Sequence, residues 1–372
     1  MRLLDRYLLR ELLIPFGYCL SGSLLCWISF SLLNELDDFQ RQKLQALDVA
    51  EYYAVLTPEL VVLVLPVAFL LALLYALTNH ARHGELTAIR TAGVSLWRLV
   101  LPYALLGLFL SLGAFGLNEW CVPESAAAAE RVLERRLPET AAKASPQWER
   151  KVGFTNTREN RKWFIAAFNR TTFELINPHV EWTLPDGTRR VMAAERAAWT
   201  PEGWAFTNFL ETVYPPARGA DPGPPFQTNV MFVRELTETP DQIRSEIKVG
   251  RTGFKEARRT QFSIREILDY KRLHRDVSEK VVMMDTTLHA RLAGPWTCLV
   301  VVAIALPFGA RSGRRNVFVG VASSIVICFG YFVLQQLALA LGHRGVLPPW
   351  LAAWAPNVLF ASVGLGLSWR IR

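Results

Sequence analysis

The chain has 372 residues, of which 51% are hydrophobic and only 20% charged, with a formal net charge of +8. Its charges crowd into the middle while both ends carry long apolar runs, which excludes an ordinary soluble domain and marks a membrane protein with one large soluble insertion. The basic excess is nearly absent from the apolar runs, and no basic cluster carries interleaved aromatics, which excludes a nucleic-acid surface.

Residues 1–11 place Leu3, Leu4, Leu8 and Leu12 along one side of a helix, with Arg2, Arg6 and Arg10 recurring every four residues. Two readings stand: a helix lying in the headgroup layer, or a charged stub ahead of the first span. Six segments have the roughly 20 apolar residues that a membrane-crossing helix needs: about 12–33, 57–79, 99–119, 291–310, 317–341 and 347–369. The first runs from Leu12 to Leu33 with no small-residue cleavage site after it, so it is not a cleavable signal. Pro15, Pro58, Pro66, Pro102, Pro295, Pro307 and Pro356 fall in or near these segments, which membrane helices tolerate. Cys19, Cys26, Cys298 and Cys328 lie in apolar runs and Cys121 ends another. Their spacing fits neither a zinc site nor a disulfide framework, so they read as small hydrophobes.

Sidedness follows from the basic residues of the short connections. One side collects Arg2, Arg6, Arg10, Arg82, Arg90, Arg98, Arg311, Arg314, Arg315, Arg370 and Arg372; the other holds only Arg41, Lys43 and Arg344. The richer side is the cytoplasm, so both termini are expected there. The long insertion after the third span is then expected outside, in the periplasm of a two-membrane cell. The external connection at 34–56 begins Asn34-Glu35-Leu36-Asp37-Asp38, an acidic rim.

Between the second and third spans lies a polar island, Arg82 to Gly93. Glu85 to Ala92 can form about two helical turns, with Leu86 and Ile89 on one face. Gly84 and Gly93 bracket it as helix stops. It reads either as a docking helix through which a separate motor pushes, or as a solvated loop.

The insertion begins with an Ala-rich helix over 124–137. Short strands follow over about 148–235, punctuated by Pro185-Asp186-Gly187 and Pro201-Glu202-Gly203, with a Pro/Gly-rich loop over 214–225. Such spacing predicts an all-β sandwich or jelly roll. Its many Trp and Phe side chains either fill a core or line an apolar slot for acyl chains. Residues 236–285 return to helix, with a capping box at Ser263-Ile264-Arg265-Glu266. The expected architecture is therefore an α-helical membrane protein with six transmembrane helices and a periplasmic, jelly-roll-like all-β domain between helices 3 and 4. The expected parts are 1–119, 120–289 and 290–372.

No phosphate-binding loop, zinc-protease, nucleophile-elbow or calcium-loop motif occurs. His274-Arg275-Asp276 spells the start of a kinase catalytic loop, but Val281 stands where that loop needs Asn; Asn169-Arg170-Thr171 is a three-residue sequon match and no more. The spans hold almost no ionisable group, which argues against proton or sodium coupling. Ser323, Ser324, Gln335 and Gln336 are the notable polar residues, suited to helix packing or to lining a polar cavity. No cofactor or metal is called for, and energy must come from another chain if the protein does work.

Several stretches together resemble the LptF/LptG lipopolysaccharide-export permeases. They are Asp5-Arg6-Tyr7-Leu8-Leu9-Arg10-Glu11, Leu65-Pro66, His83 to Gly93, Pro123, Leu306-Pro307-Phe308-Gly309, Gly345 to Trp350 and Ala355-Pro356-Asn357. Phe262 to Tyr270 and the 317–357 pattern look slightly closer to the LptG member. The resemblance implies a non-catalytic subunit paired with a second permease of the family in the bacterial inner membrane. It also implies a cytoplasmic ATPase dimer as motor, lipopolysaccharide as cargo taken from the outer leaflet between the first and fifth helices, and a periplasmic bridge protein as acceptor. It makes Arg82, Glu85, Leu86, Ile89 and Arg90 the candidate ATPase contacts, and Ser323, Ser324, Gln335 and Gln336 candidates for the lateral gate. Family members often carry bases at the outer end of the first span, whereas this chain is acidic there. Arg41, Lys43 and Arg291, with Arg131, Arg135 and Arg136, are the alternatives for phosphate contacts. A membrane-anchored periplasmic assembly scaffold, or a permease for lipoproteins or peptides, remains the competing class; the latter often has four spans, so six weighs against it.

Overall fold

The computed structural model describes residues 3–41, 44–134, 148–216, 222–251, 262–274, 278–309 and 317–369. The chain divides into two units, Met1–Arg136 with Val282–Arg372, and Leu137–Val281.

The first unit is helical: α1 (Leu3–Arg41), α2 (Ala46–Arg82), α3 (Glu85–Thr91), α4 (Leu96–Gly116), a π-helical turn (Leu117–Cys121), α5 (Val122–Glu134), the last turns of α8 (Glu279–Ala293), a 3₁₀ turn (Gly294–Trp296), α9 (Thr297–Gly309), α10 (Val317–His343) and α11 (Pro349–Trp369). Among the described residues, five stretches are long and apolar enough to cross a membrane: Leu3–Asp37, Ala46–Arg82, Arg98–Ser125, Glu279–Ala305 and Pro349–Leu367. The remaining expected segment, 317–341, falls in α10, a helix of 27 residues with part of its side chains outside the described set.

Helix α2 is the hub of this unit. Of its most apolar stretch 61% is buried, against 6% for α1. Its Val64, Leu65, Phe69 and Leu73 share a packed cluster with Leu99, Val100 and Tyr103 of α4 and with Val301, Val302 and Ala305 of α9. The outer faces stay apolar: Leu25 and Phe30 of α1, Phe109 and Leu112 of α4, Phe329 of α10 and Val363 of α11 are exposed. Apolar side chains outside are stable only in lipid, where association rests on close packing and interhelical hydrogen bonds. Both devices occur. A Cβ on Gly364 would meet the Ala303 carbonyl oxygen at 2.5 Å, so α11 lies directly on the α9 backbone. Tyr331 donates to Asn357 Oδ1 at 2.6 Å and lies 2.8 Å from Thr297 Oγ1, while Asn357 donates to the Ala293 carbonyl at 2.7 Å. The single tyrosine proton goes to Asn357, so Thr297 is the donor to Tyr331.

Two expectations change here. The amino-terminal residues are not a separate interfacial helix: α1 is one helix of 39 residues. Of its leucine stripe, Leu8 and Leu12 are fully buried and Leu4 packs against the same cluster, while Leu3 is exposed. Most of the connection at 34–56 is also helical, because Phe39, Tyr52 and Tyr53 pack with Ala129 and Val132 of α5 and prolong α1 and α2. The turn between them closes with Gln45 N donating to Asp48 Oδ2 at 2.9 Å.

The second unit holds seven strands, β1 (Trp148–Asn156), β2 (Arg161–Asn169), β3 (Leu175–Thr183), β4 (Arg189–Ala193), β5 (Arg196–Thr200), β6 (Gly203–Tyr214) and β7 (Phe226–Val233), followed by α6 (Pro240–Arg251), α7 (Ile264–Leu273) and the start of α8. All pairings are antiparallel. Strands β4 and β5 act as one strand broken at Ala194-Glu195, flanked by β3 on one side and β6 on the other. The described ladders thus join sequence neighbours, as in a meander, without the Greek-key crossovers that define a jelly roll. The expected turns form: Gly187 takes φ +87° and Gly203 φ +115°. Trp163, Phe168, Trp204, Phe206 and Phe209 are buried together with Ile243 and Ile247 of α6 and Leu273 of α7. These rings fill a core. Buried Arg161 pins the segment after β7, binding Glu238 at 3.0 Å and the Glu235 carbonyl at 2.7 Å. The predicted capping box starts α7: Glu266 N donates to Ser263 Oγ, and Ser263 N to Glu266 Oε2.

Glu246 of α6 is the exception in this unit. Burial pushes its carboxyl up to about 8, against the pull of Lys280. His274 Nδ1 lies 3.2 Å away but points its proton at the Tyr270 carbonyl, 3.0 Å off, and Glu246 Oε1 accepts no hydrogen bond. The folded unit therefore binds a proton that the unfolded chain releases above its ordinary carboxylate range. That contribution to its stability is complete below about pH 4.5 and is lost as pH rises toward 8, by up to roughly 1.4 kcal/mol per pH unit. Glu246→Gln should flatten that dependence, read as amide exchange across 240–251 between pH 5 and pH 8; an unchanged slope would refute the buried neutral acid. For the helical unit, Gly364→Val should cost roughly 1–3 kcal/mol by overpacking, seen as a lower melting temperature in detergent. Gly366→Ala, with nothing within 4 Å of the added carbon, should leave it unchanged.

Candidate functional site

Helix α2 ends because the chain reaches Gly84 at φ +73°, a left-handed position that favours glycine. The last turn closes with His83 N on the Asn79 carbonyl at 3.1 Å and Gly84 N on that of Ala81 at 3.2 Å. Helix α3 starts at once, Ala88 N donating to the Gly84 carbonyl at 2.9 Å. Gly93, φ +81°, ends it, with Val94 N reaching back to the Ile89 carbonyl at 3.3 Å. That bond, spanning six residues beside a left-handed glycine, is a Schellman closure. The polar island is a helix with two built ends rather than a loop.

Its faces are distinct. Leu86 is 4% exposed and belongs to the bundle core, with Ile89 half-buried against the same cluster. Arg82, His83, Thr87, Ala88 and Thr91 are exposed. Arg90 lies in α3 with its side chain outside the described set. Glu85 is held from within: Tyr7 of α1 donates to its two oxygens at 3.1 and 3.0 Å, and His80 Nδ1 of α2 lies 2.7 Å from Oε2. A carboxylate only accepts, so His80 carries its proton on Nδ1. Burial opposes ionisation of Glu85, but the bonds from His80 and Tyr7 outweigh it and hold its pKa below the ordinary carboxylate value. Of the candidate ATPase contacts, then, Arg82 is free to face a partner, whereas Glu85, Leu86 and Ile89 bind the helix to its own bundle. Neither Tyr7 nor His80 was singled out by sequence reasoning. The signal was a histidine five residues before the glutamate, at the end of an otherwise apolar helix.

The other candidates separate widely. Arg41 is exposed in the last turn of α1 and Arg131 is exposed on α5; Lys43, Arg135 and Arg136 lie outside the described residues. Arg291, only 7% exposed, donates to the Asn118 carbonyl at 3.0 Å and lies 3.6 Å from Glu119. Asn118 and Glu119 sit in the π-helical turn, where Val122 N bonds back to Leu117. In α10, Gln335 is half-buried and Gln336 exposed, while the side chains of Ser323 and Ser324 are outside the described set.

Several membrane-crossing helices with apolar outer faces, interrupted by an antiparallel β unit, define a multi-span integral membrane protein. The chain belongs to the LptF/LptG family of lipopolysaccharide export system permeases, whose family model matches residues 6–370. No curated protein matches it. The family is one of transport permeases rather than catalysts.

The two faces of α3 make a direct prediction. Leu86→Ala should cost roughly 2–5 kcal/mol and lower the melting temperature of the purified chain. Thr87→Ala, on the opposite face, should leave melting where it was.

Proposed function

We propose that the chain is the membrane subunit of an ATP-driven lipopolysaccharide exporter. It takes the glycolipid from the outer leaflet of the inner membrane and passes it to a periplasmic bridge. The single observation that carries this reading, beyond family membership, is α3: a capped helix between two spans, braced against the bundle by Leu86 and Glu85, and exposed along Thr87, Ala88 and Thr91, beside the exposed Arg82 and His83 that end α2. A braced helix can receive a push without folding back. In this reading a cytoplasmic ATPase dimer seats on the exposed side. Both termini are cytoplasmic, the β unit is periplasmic, α10 is the sixth span, and a second permease of the family completes the cavity. Gln335 and Gln336 of α10 stand with α1 at its mouth. The 1–119, 120–289 and 290–372 parts are the two membrane halves and the periplasmic insertion.

Two measurements test it. Ala88→Trp should abolish co-purification of a nucleotide-hydrolysing partner while melting is retained; undiminished association would remove α3 as the docking element. A photo-reactive residue at Gln336 should capture lipopolysaccharide in cells. Capture of phospholipid alone would favour a scaffold over an exporter.

A further inference from the structure

The Glu85 carboxylate joins three elements. It belongs to α3, it accepts from His80 of α2, and it accepts from Tyr7 of α1. The Tyr7 ring also lies 5.8 Å from the His80 ring, tilted against it. Leu8, the next residue, is fully buried in the cluster that holds Leu86. The amino-terminal end of α1 is thus fastened to α3 by a charge-assisted hydrogen bond and by apolar packing side by side.

The rest of α1 is held differently. Leu13, Ile14, Tyr18, Leu25, Phe30 and Leu33 are exposed, and only 6% of its apolar stretch is buried. Helix α1 is nonetheless continuous from Leu3 to Arg41, about 58 Å at 1.5 Å per residue. Its far end is packed as well, with Phe39 against Tyr52 and Tyr53 of α2, so a displacement of the Tyr7 end is taken up along the stretch between the two. Pro15 lies between, where the missing amide hydrogen bond gives a place to flex.

We propose that Tyr7 is a positioning residue that yokes α1 to α3, so that a displacement of α3 moves the fastened end of α1 with it. The driver of that displacement rests on the reading of α3 as an ATPase docking helix; the yoke itself does not. The Tyr7 hydroxyl makes the bond and its ring makes the packing, so removing the oxygen alone separates the two.

The test uses Tyr7→Phe in the full chain in nanodiscs, with Tyr18→Phe as control, since Tyr18 is 75% exposed on the same helix. Amide exchange across 85–92 should quicken about fivefold or more in Tyr7→Phe and stay at the wild-type rate in Tyr18→Phe. In the assembled complex, Tyr7→Phe should keep ATP hydrolysis but release about threefold less lipopolysaccharide per ATP. Unchanged exchange in Tyr7→Phe overturns the yoke, whatever transport does. Faster exchange with unchanged lipid per ATP overturns its role in transmission. If the wild-type chain binds no ATPase, the docking reading fails alone and the exchange comparison decides the yoke. Should Tyr7→Phe not fold, Glu85→Gln serves instead: it keeps shape and one acceptor but removes the charge, and wild-type exchange there would equally overturn the proposal.

Discussion

A half-buried carboxylate with two donors from two other helices is the constraint on which the α3 end of the bundle depends. Glu85 cannot sit at the edge of an apolar core unless its charge is met. Tyr7 and His80 meet it, and each must then keep its own helix in register with α3. The geometry is available because Gly84 turns the chain through a left-handed residue between His80 and Glu85. Leu86 follows and buries itself on the bundle side. The orientation of α3 is thus set twice, by charge and by apolar contact.

The same economy runs through the membrane part. Lipid offers no hydrophobic drive to bring helices together, so cohesion comes from backbone approach at small residues and from satisfied polar groups. Gly364 lets α11 rest on α9, and the Thr297–Tyr331–Asn357 chain ends on the Ala293 carbonyl. These contacts gather α9, α10 and α11 on one side. Helix α2 gathers α4 and α9 on the other, through apolar packing. Helix α1 shares this core through one narrow stripe, from Leu4 to Leu24. Its far end packs in a second cluster, Phe39 with Tyr52 and Tyr53 of α2 and Ala129 and Val132 of α5, so each end of α1 answers to a different neighbour.

Much of this was legible in the residues. Long apolar runs specify membrane helices because lipid admits few alternatives, and five of the six expected segments stand as such helices among the described residues. Ser263 and Glu266 announced their cap at the right spacing, and Gly84 and Gly93 announced the ends of α3. What stayed hidden depends on contacts distant in sequence. Nothing local says that Tyr7 meets Glu85, 78 positions away. Nothing local says that the leucine stripe of residues 4–12 faces protein instead of headgroups, since either partner suits the same periodicity. The acidic connection at 34–56 looked like a loop because its cohesion comes from Phe39, Tyr52 and Tyr53 packing on α5. Strand spacing foretold a β unit, but its connectivity is set by which edges pair, and short-range pattern does not record that.

Arg291 shows how burial decides between two roles for one charge. Its position beside the outer end of a span suited it to an anionic headgroup. In place, its guanidinium is inside the bundle, bound to the Asn118 carbonyl and facing Glu119. The carbonyl is on offer because the π-helical turn widens the backbone there, shifting the ladder by one residue. Turning Arg291 outward to a phosphate would strand a part-buried carbonyl and a part-buried carboxylate, a cost of about 1–3 kcal/mol for each group that a screened surface contact does not offset. The acidic stretch from Glu35 to Asp37 therefore goes unneutralised by Arg291, and of the candidate cations on described residues it is Arg41 and Arg131 that remain exposed.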